Sequence, residues 1–351
     1  MIGLACLALA GCQAAPTTLA GQASLAAPTR APSPAASPTI PAAVSPTASP
    51  MPARAATATG LPPTPSPSST PLPTLTPTAL SGQPATAAAA VLDVWDNPAH
   101  EHAYWSRETQ LIAGERVLVL AEKGDWAQIV AVEQPSHKDP RGYPGWVRAS
   151  GLVNGWSQAQ AYAVVMVSRA LARGQPDGKA SVLMGLSIDS RLPLAKVDQG
   201  WAQVTLPDGR PAWIAAADIR STGDPQAPAA LDGFFATAQS LTGVPYLWGG
   251  TADGALDCAG FIYRLYHAYG ITLPRDADDQ ARAGEDASGQ ALKRGDLIFT
   301  AESKGGAVTH VVMAWGDGMV IDEDTPQGLT VRPLSAALRS SYLVTVRRYL
   351  P

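Results

Sequence analysis

The sequence predicts an α+β protein: two small β units followed by a mixed α and β unit. Three observations predict it. From Val91 onward, Trp and β-branched residues alternate with polar ones in short runs. One phrase of that pattern recurs, Trp126-Ala127-Gln128-Ile129 returning as Trp201-Ala202-Gln203-Val204, with Trp146-Val147 and Trp213-Ile214 following in the same order. From Ala229 the periodicity changes, and helical stripes interleave with apolar strands.

The segment ahead of these units is of another kind. Residues 1–11 are small and apolar, too few to span a bilayer, which needs about 20. They read as the core of a secretory signal. Leu9-Ala10-Gly11-Cys12 resembles the bacterial lipoprotein box, which implies cleavage before Cys12 and a lipid on its thiol. Residues 12–88 are Ala, Pro, Thr and Ser with hardly a charge or ring, and cannot bury enough apolar surface to offset chain entropy. They are expected to form a Pro-rich, semi-rigid stalk between a bacterial membrane and the folded part, which would be extracytoplasmic. Of the three cysteines, Cys6 would leave with the signal and Cys12 would carry lipid, so Cys258 has no disulfide partner. Net charge is −4 and no basic run occurs, which gives nucleic-acid binding no electrostatic support. No protein partner is expected.

The two β units are placed at 89–154 and 155–223. In the first, 116–121 and 126–132 read as strands around the turn Lys123-Gly124-Asp125. In the second, 200–204 and 212–214 flank Pro207-Asp208-Gly209. Each is a small barrel by pattern. Core packing is the expected role of Trp126 and Trp201. Tyr143 sits in a polar Pro/Gly-rich stretch, 139–145, where presenting its ring and hydroxyl to a ligand is the more natural reading.

In the last unit, 231–242 reads as a helix stopped by Gly243. A second helix opens at Cys258 and ends near Tyr269, with Phe261, Ile262, Leu265 and Tyr266 as its apolar stripe. A cysteine at a helix N-terminus meets unpaired N–H groups and the positive end of the dipole, which favour thiolate, the nucleophilic form. His267 lies more than two turns along the same helix and is expected to face solvent. His310 opens an apolar strand, and Asp322 ends its hairpin neighbour across Gly316-Asp317-Gly318. An antiparallel pair brings these two positions together, so Asp322 can orient the imidazole. The sequence supports no metal site among the remaining histidines, His100, His102 and His137, because no second soft ligand stands near them.

Residues 229–351 resemble the NlpC-type cell-wall peptidases, a papain-like family. The matching phrases are Tyr246-Leu247-Trp248-Gly249-Gly250, Asp257-Cys258-Ala259-Gly260-Phe261, Leu273-Pro274-Arg275-Asp276, Arg294-Gly295-Asp296-Leu297-Ile298-Phe299 and Thr309-His310-Val311. The resemblance implies a papain-like domain, a helix bundle on an antiparallel sheet, with Cys258 as nucleophile, His310 as base and Asp322 as orienting residue. The β units resemble bacterial SH3-like domains. With Glu108-Thr109-Gln110 and Gly142-Tyr143-Pro144-Gly145-Trp146, the layout looks like the γ-D-glutamyl-L-diamino acid endopeptidases that process murein peptides. That likeness implies a first SH3-like domain leaning over the site and admitting peptides with a free N-terminal L-Ala. Tyr143 would wall the pocket, Glu108 and Asp257 would receive the substrate ammonium, and Tyr246 and Trp248 would line the site. No cofactor is implied.

The chain departs from the family pattern at Ala259 and Ala277, where serine is usual, and at Asp322, where His, Asn or Gln is more common. Asp322 still suits an imidazolium. Two alternatives stay open: a catalytically weak wall-binding lipoprotein, and a related thiol hydrolase or acyltransferase of different specificity.

Overall fold

In a computed structural model, residues 82–252 and 254–351 are described. Cys12, the expected signal and most of the expected stalk lie outside the described residues. The first strand is β1 (Gln83–Ala87), inside the segment assigned to the stalk. It pairs with β4 and β7 and buries Ala85 and Ala87, so its small residues belong to the first β unit.

That unit comprises β1, β2 (Val91–Trp95), β3 (Arg107–Ile112), β4 (Arg116–Lys123), β5 (Trp126–Ala131), β6 (Tyr143–Arg148) and β7 (Leu152–Asn154). The second comprises β8 (Tyr162–Val165), β9 (Arg169–Arg173), β10 (Val182–Ser187), β11 (Arg191–Asp198), β12 (Trp201–Thr205), β13 (Pro211–Ala215) and β14 (Ile219–Thr222). Their sheet orders are β3-β2-β6-β5-β4-β1-β7 and β10-β9-β13-β12-β11-β8-β14. Advancing every strand of the first by seven gives the second, so the repeated phrase reflects a repeated topology.

The phrase also has the same phase in both units. Ala127 and Ile129, like Ala202 and Val204, are buried, while Trp126 and Trp201 are only half-buried. Core packing for these two tryptophans is therefore not what the fold uses. Alternation along a strand sends the tryptophans to the face opposite the core. There Trp126 lies under the Arg148 guanidinium, 4.3 Å from ring centre to carbon.

The last unit contains α1 (Phe234–Ser240), β15 (Thr251–Ala252), β16 (Ala255–Leu256), α2 (Cys258–Ala268), α3 (Ala277–Arg282), β17 (Glu285–Asp286), β18 (Leu297–Ala301), β19 (His310–Gly316), β20 (Met319–Asp324), β21 (Gly328–Pro333), α4 (Leu334–Ala337) and β22 (Tyr342–Arg348). Six strands make an antiparallel sheet in the order β17-β22-β18-β19-β20-β21. A helix bundle is not what covers it. One full-length helix, α2, packs on β19 and β20, and the other helices are short.

Helix α2 starts where Asp257, with extended backbone, caps the Gly260 N–H at 2.6 Å, and stops before Gly270 at φ +74°. All of its residues are buried. Phe261, Ile262 and Leu265 fill one core with Phe299, Val311 and Met313, each contributing about 1.5–3 kcal/mol by burial. Gly260 is required by contact: a Cβ there would lie 2.1 Å from the Gly250 carbonyl oxygen.

The far half of α2 is buried among charges, and the expectation of a solvated His267 fails there. His267 is 1% exposed. Its Nδ1 pairs with Asp189 at 2.6 Å, and its ring stacks on Tyr263. Arg264 reaches Glu115 of the first unit at 2.7 Å and Asp189 of the second at 3.3 Å. Arg191 pairs with Asp189 at 2.9 Å and donates to the His267 carbonyl at 2.8 Å. Three units thus share one buried ion network.

Candidate active site

Cys258, at the first position of α2, and His310, at the first position of β19, lie side by side in the lining of a cleft of about 1000 Å³. The His310 Nε2 meets Asp322 Oδ1 at 2.9 Å, leaving Nδ1 for the thiol. Burial opposes a charged imidazole. The Cys258 and Asp322 charges outweigh it, and the His310 pKa stands well above 6.5. Asp322 is fully buried and also accepts from Arg332 Nε at 2.7 Å. Arg332 had no sequence signal: it stands on β21, diagonal to Asp322, and only the strand register brings it there. The arrangement can hold an imidazolium beside a thiolate, with the first N–H groups of α2 free of helical partners.

Tyr246 and Trp248 line the same cleft. Burial, then the Cys258 and Asp257 charges, hold the Tyr246 phenol protonated. Trp248 is 39% exposed and meets Trp105 of the first β unit edge-on at 4.9 Å. Just after Trp248 the chain turns at Gly249, φ +75°, whose missing Cβ would lie 2.5 Å from the Arg107 carbonyl oxygen. The Trp-Gly-Gly phrase thus serves the docking of the first unit as well as the site.

Docking comes from Glu108-Thr109-Gln110 on β3. Gln110 accepts from the Thr251 N–H at 3.0 Å and the Thr251 hydroxyl at 2.9 Å. Thr109 accepts from Arg275 at 3.1 Å. Glu108 is left facing the cleft.

Two expectations are corrected here. Asp257 does not stand ready for a ligand ammonium. Its carboxylate caps α2, accepts from the Gly249 N–H at 3.0 Å, and is forked by the buried Arg275 at 2.5 Å. Its position just before the helix was itself the signal of a capping role. Tyr143 is not in a loop. It begins β6 and is 1% exposed, its ring packed in the core of the first unit. Only its hydroxyl reaches the cleft, 3.1 Å from Glu108 and 3.0 Å from Asp276. Asp276, for which the sequence carries no such expectation, shares the Tyr143 hydroxyl with Glu108. Burial raises the Asp276 pKa, against the pull of Arg275 and Lys138. Beside this group, ligand atoms of His137, Asp278 and Asp279 lie within 4.8 Å of one another, but Arg282 already pairs with both aspartates.

A free thiol at a helix start, an oriented histidine beside it and a cleft that both line define the class: the enzyme is a cysteine peptidase. Residues 243–348 match the NlpC/P60 family, and residues 175–221 match the YKFC SH3b2 domain. The γ-D-glutamyl-L-lysine dipeptidyl-peptidase of Bacillus cereus is 35% identical over 253 residues, 70% of this chain and 75% of that protein. The Bacillus subtilis protein of the same name is 33% identical over 243 residues, 69% and 80% of the two chains. A crystal structure of an NlpC/P60 family protein from Bacillus cereus superposes with a TM-score of 0.69 at 28% identity, covering 76% of this chain and all of that one. The chain belongs to the NlpC/P60 family.

Proposed function

We propose that the protein hydrolyses the bond between γ-D-Glu and a diamino acid in murein peptides that carry a free N-terminal L-Ala. The observation that carries this reading is the acidic group at one end of the cleft. Glu108, Asp276 and the Tyr143 hydroxyl converge there, two of them contributed by a β unit outside the peptidase domain. A ligand ammonium matches that group in charge and donors, and an acylated terminus offers it neither. The names of the two Bacillus relatives support the same bond. The papain-like description of the peptidase domain belongs to this reading.

In the proposed mechanism the Cys258 thiolate attacks the γ-carbonyl carbon of D-Glu, forming a C–S bond. N–H groups at the start of α2, that of Cys258 included, receive the oxyanion. As the C–N bond breaks, the His310 imidazolium gives its proton to the leaving amine. Neutral His310 then takes a proton from water, whose oxygen displaces the thiolate from the thioester. Asp322 keeps the ring oriented throughout, and Arg332 fixes Asp322. The products are L-Ala-γ-D-Glu and the remaining peptide.

The test is hydrolysis of L-Ala-γ-D-Glu-diaminopimelate and its N-acetylated form by the protein and by Cys258→Ala. Equal rates with and without Cys258 would sink the assignment. Equal rates on the two peptides would sink the claim of a free terminus. A lipid on Cys12 would hold the enzyme at the outer side of the bacterial membrane. Labelled palmitate incorporated equally by wild type and Cys12→Ala would refute that.

A further inference from the structure

The acidic group is already occupied by a cation from the chain itself. Lys138, in the 132–142 stretch between β5 and β6, places its Nζ against Glu108, 2.6 Å from the Tyr143 oxygen and 3.8 Å from Asp276. It lies 4.5 Å above the Tyr143 ring. An alkylammonium has three N–H donors; here two meet the Glu108 carboxylate and the Tyr143 phenol oxygen, with the Asp276 carboxylate at ion-pair distance. Arg275 also approaches Asp276, at 3.6 Å, but its fork is committed to Asp257.

We propose that Lys138 is a tethered occupant of the ammonium subsite, which a substrate's α-ammonium displaces on binding. The inference rests on the function proposed above and adds a residue that sets its specificity. The geometry allows the exchange. The backbone around Lys138 is held by the His137 N–H to Asp279 at 3.0 Å and by the Lys138 N–H to Ser136 at 3.1 Å. The Lys138 side chain is 34% exposed, so only that side chain has to swing toward solvent. Displacement exchanges one ammonium for another and leaves Glu108 and Asp276 paired. A peptide without an ammonium has nothing to offer in exchange, so Lys138 stays and narrows the entrance. Selection is then enforced twice, by the carboxylates and by the cation that guards them.

The experiment compares wild type with Lys138→Met and Lys138→Arg on the free and N-acetylated peptides. Removing a half-exposed competitor lowers KM for the free peptide by about fivefold and spares kcat. Arginine, which keeps the charge, stays near the wild-type KM. The affinity of the product L-Ala-γ-D-Glu, titrated calorimetrically on a Cys258→Ala background, tightens by the same factor with Lys138→Met. A KM that is unchanged or higher in Lys138→Met overturns the proposal, as does an equal drop in both variants. Failure of the underlying reading is separate: wild type would then cleave the N-acetylated peptide as well as the free one, whatever Lys138 does.

Discussion

The two β units share one strand order, yet only the first reaches the active-site cleft. Glu108, Lys138, Tyr143, Tyr104 and Trp105 of the first unit line it, and no residue between 155 and 223 does. The difference lies in two connections. Residues 132–142 join β5 to β6, where the second unit crosses from β12 to β13 in residues 206–210. Residues 96–106 join β2 to β3, where 174–181 suffice between β9 and β10. On one shared scaffold, the first copy carries its cleft-lining side chains in these longer connections and at the strand starts that follow them. The second unit instead contributes Asp189 and Arg191 to the buried network under α2. Helix α2 therefore divides the labour, with chemistry at its first residue and anchorage in its second half.

The largest expected effects fall on the two ends of that helix. Cys258→Ala abolishes cleavage, by on the order of 10⁴-fold or more in steady-state assays, and leaves urea unfolding unchanged. Arg264→Met should do the reverse. It leaves Glu115, about 1% exposed, without its guanidinium and takes one of two from the equally buried Asp189. Removing one partner of a buried pair costs about 3–5 kcal/mol of stability, read from the urea midpoint. An unchanged midpoint would mean that the second unit is not anchored through α2.

Glu323 tests the same contrast from the other side. The junction pairs its buried charges, whereas Glu323, next to Asp322 on β20, is 1% exposed with neither carboxyl oxygen hydrogen-bonded. Burial, with Asp322 and Asp257 adding to it, pushes its pKa up to about 8 from 4.5. Between those values the folded protein binds a proton that the unfolded chain releases, so this group's contribution to stability falls as pH rises. Glu323→Gln removes that slope, of about 1.4 kcal/mol per pH unit at most, and is more stable by on the order of 2–3 kcal/mol at pH 7. Parallel stability curves from pH 5 to 8 would show that the carboxyl finds a partner.

How much of this was readable in the sequence follows from the range of each signal. Cys258 and His310 were readable because each opens a regular element, and periodicity marks where elements begin. The duplicated unit was readable because a repeated phrase implies a repeated topology. Asp276, Lys138 and Arg332 were not, because their roles exist only once separate units dock or strands register. Tyr143 misleads because a Pro/Gly-rich composition suggests a loop, while β6 carries that composition as a strand paired with β5. His267 misled because helical spacing shows which face is apolar, not which polar face another unit will cover.

Smaller effects separate the two β units at the cleft. Glu108→Gln removes one carboxylate of the proposed ammonium subsite. It raises KM for the free peptide by about ten- to a hundredfold and leaves the poor N-acetylated substrate as it was. The smallest effect is the most discriminating between the units. Trp105, 71% exposed, stands at the cleft mouth against Trp248, and Trp213 lies half-buried on the second unit beside Lys196 at 5.5 Å. Trp105→Ala removes an aromatic wall worth about 0.5–1 kcal/mol, a two- to fivefold rise in KM. Trp213→Ala should leave cleavage of soluble peptides within about twofold, the spread expected of a surface substitution. If Trp213→Ala raised KM as much as Trp105→Ala, the second unit would be acting on substrate too, and the division between binding copy and anchoring copy would have to be abandoned.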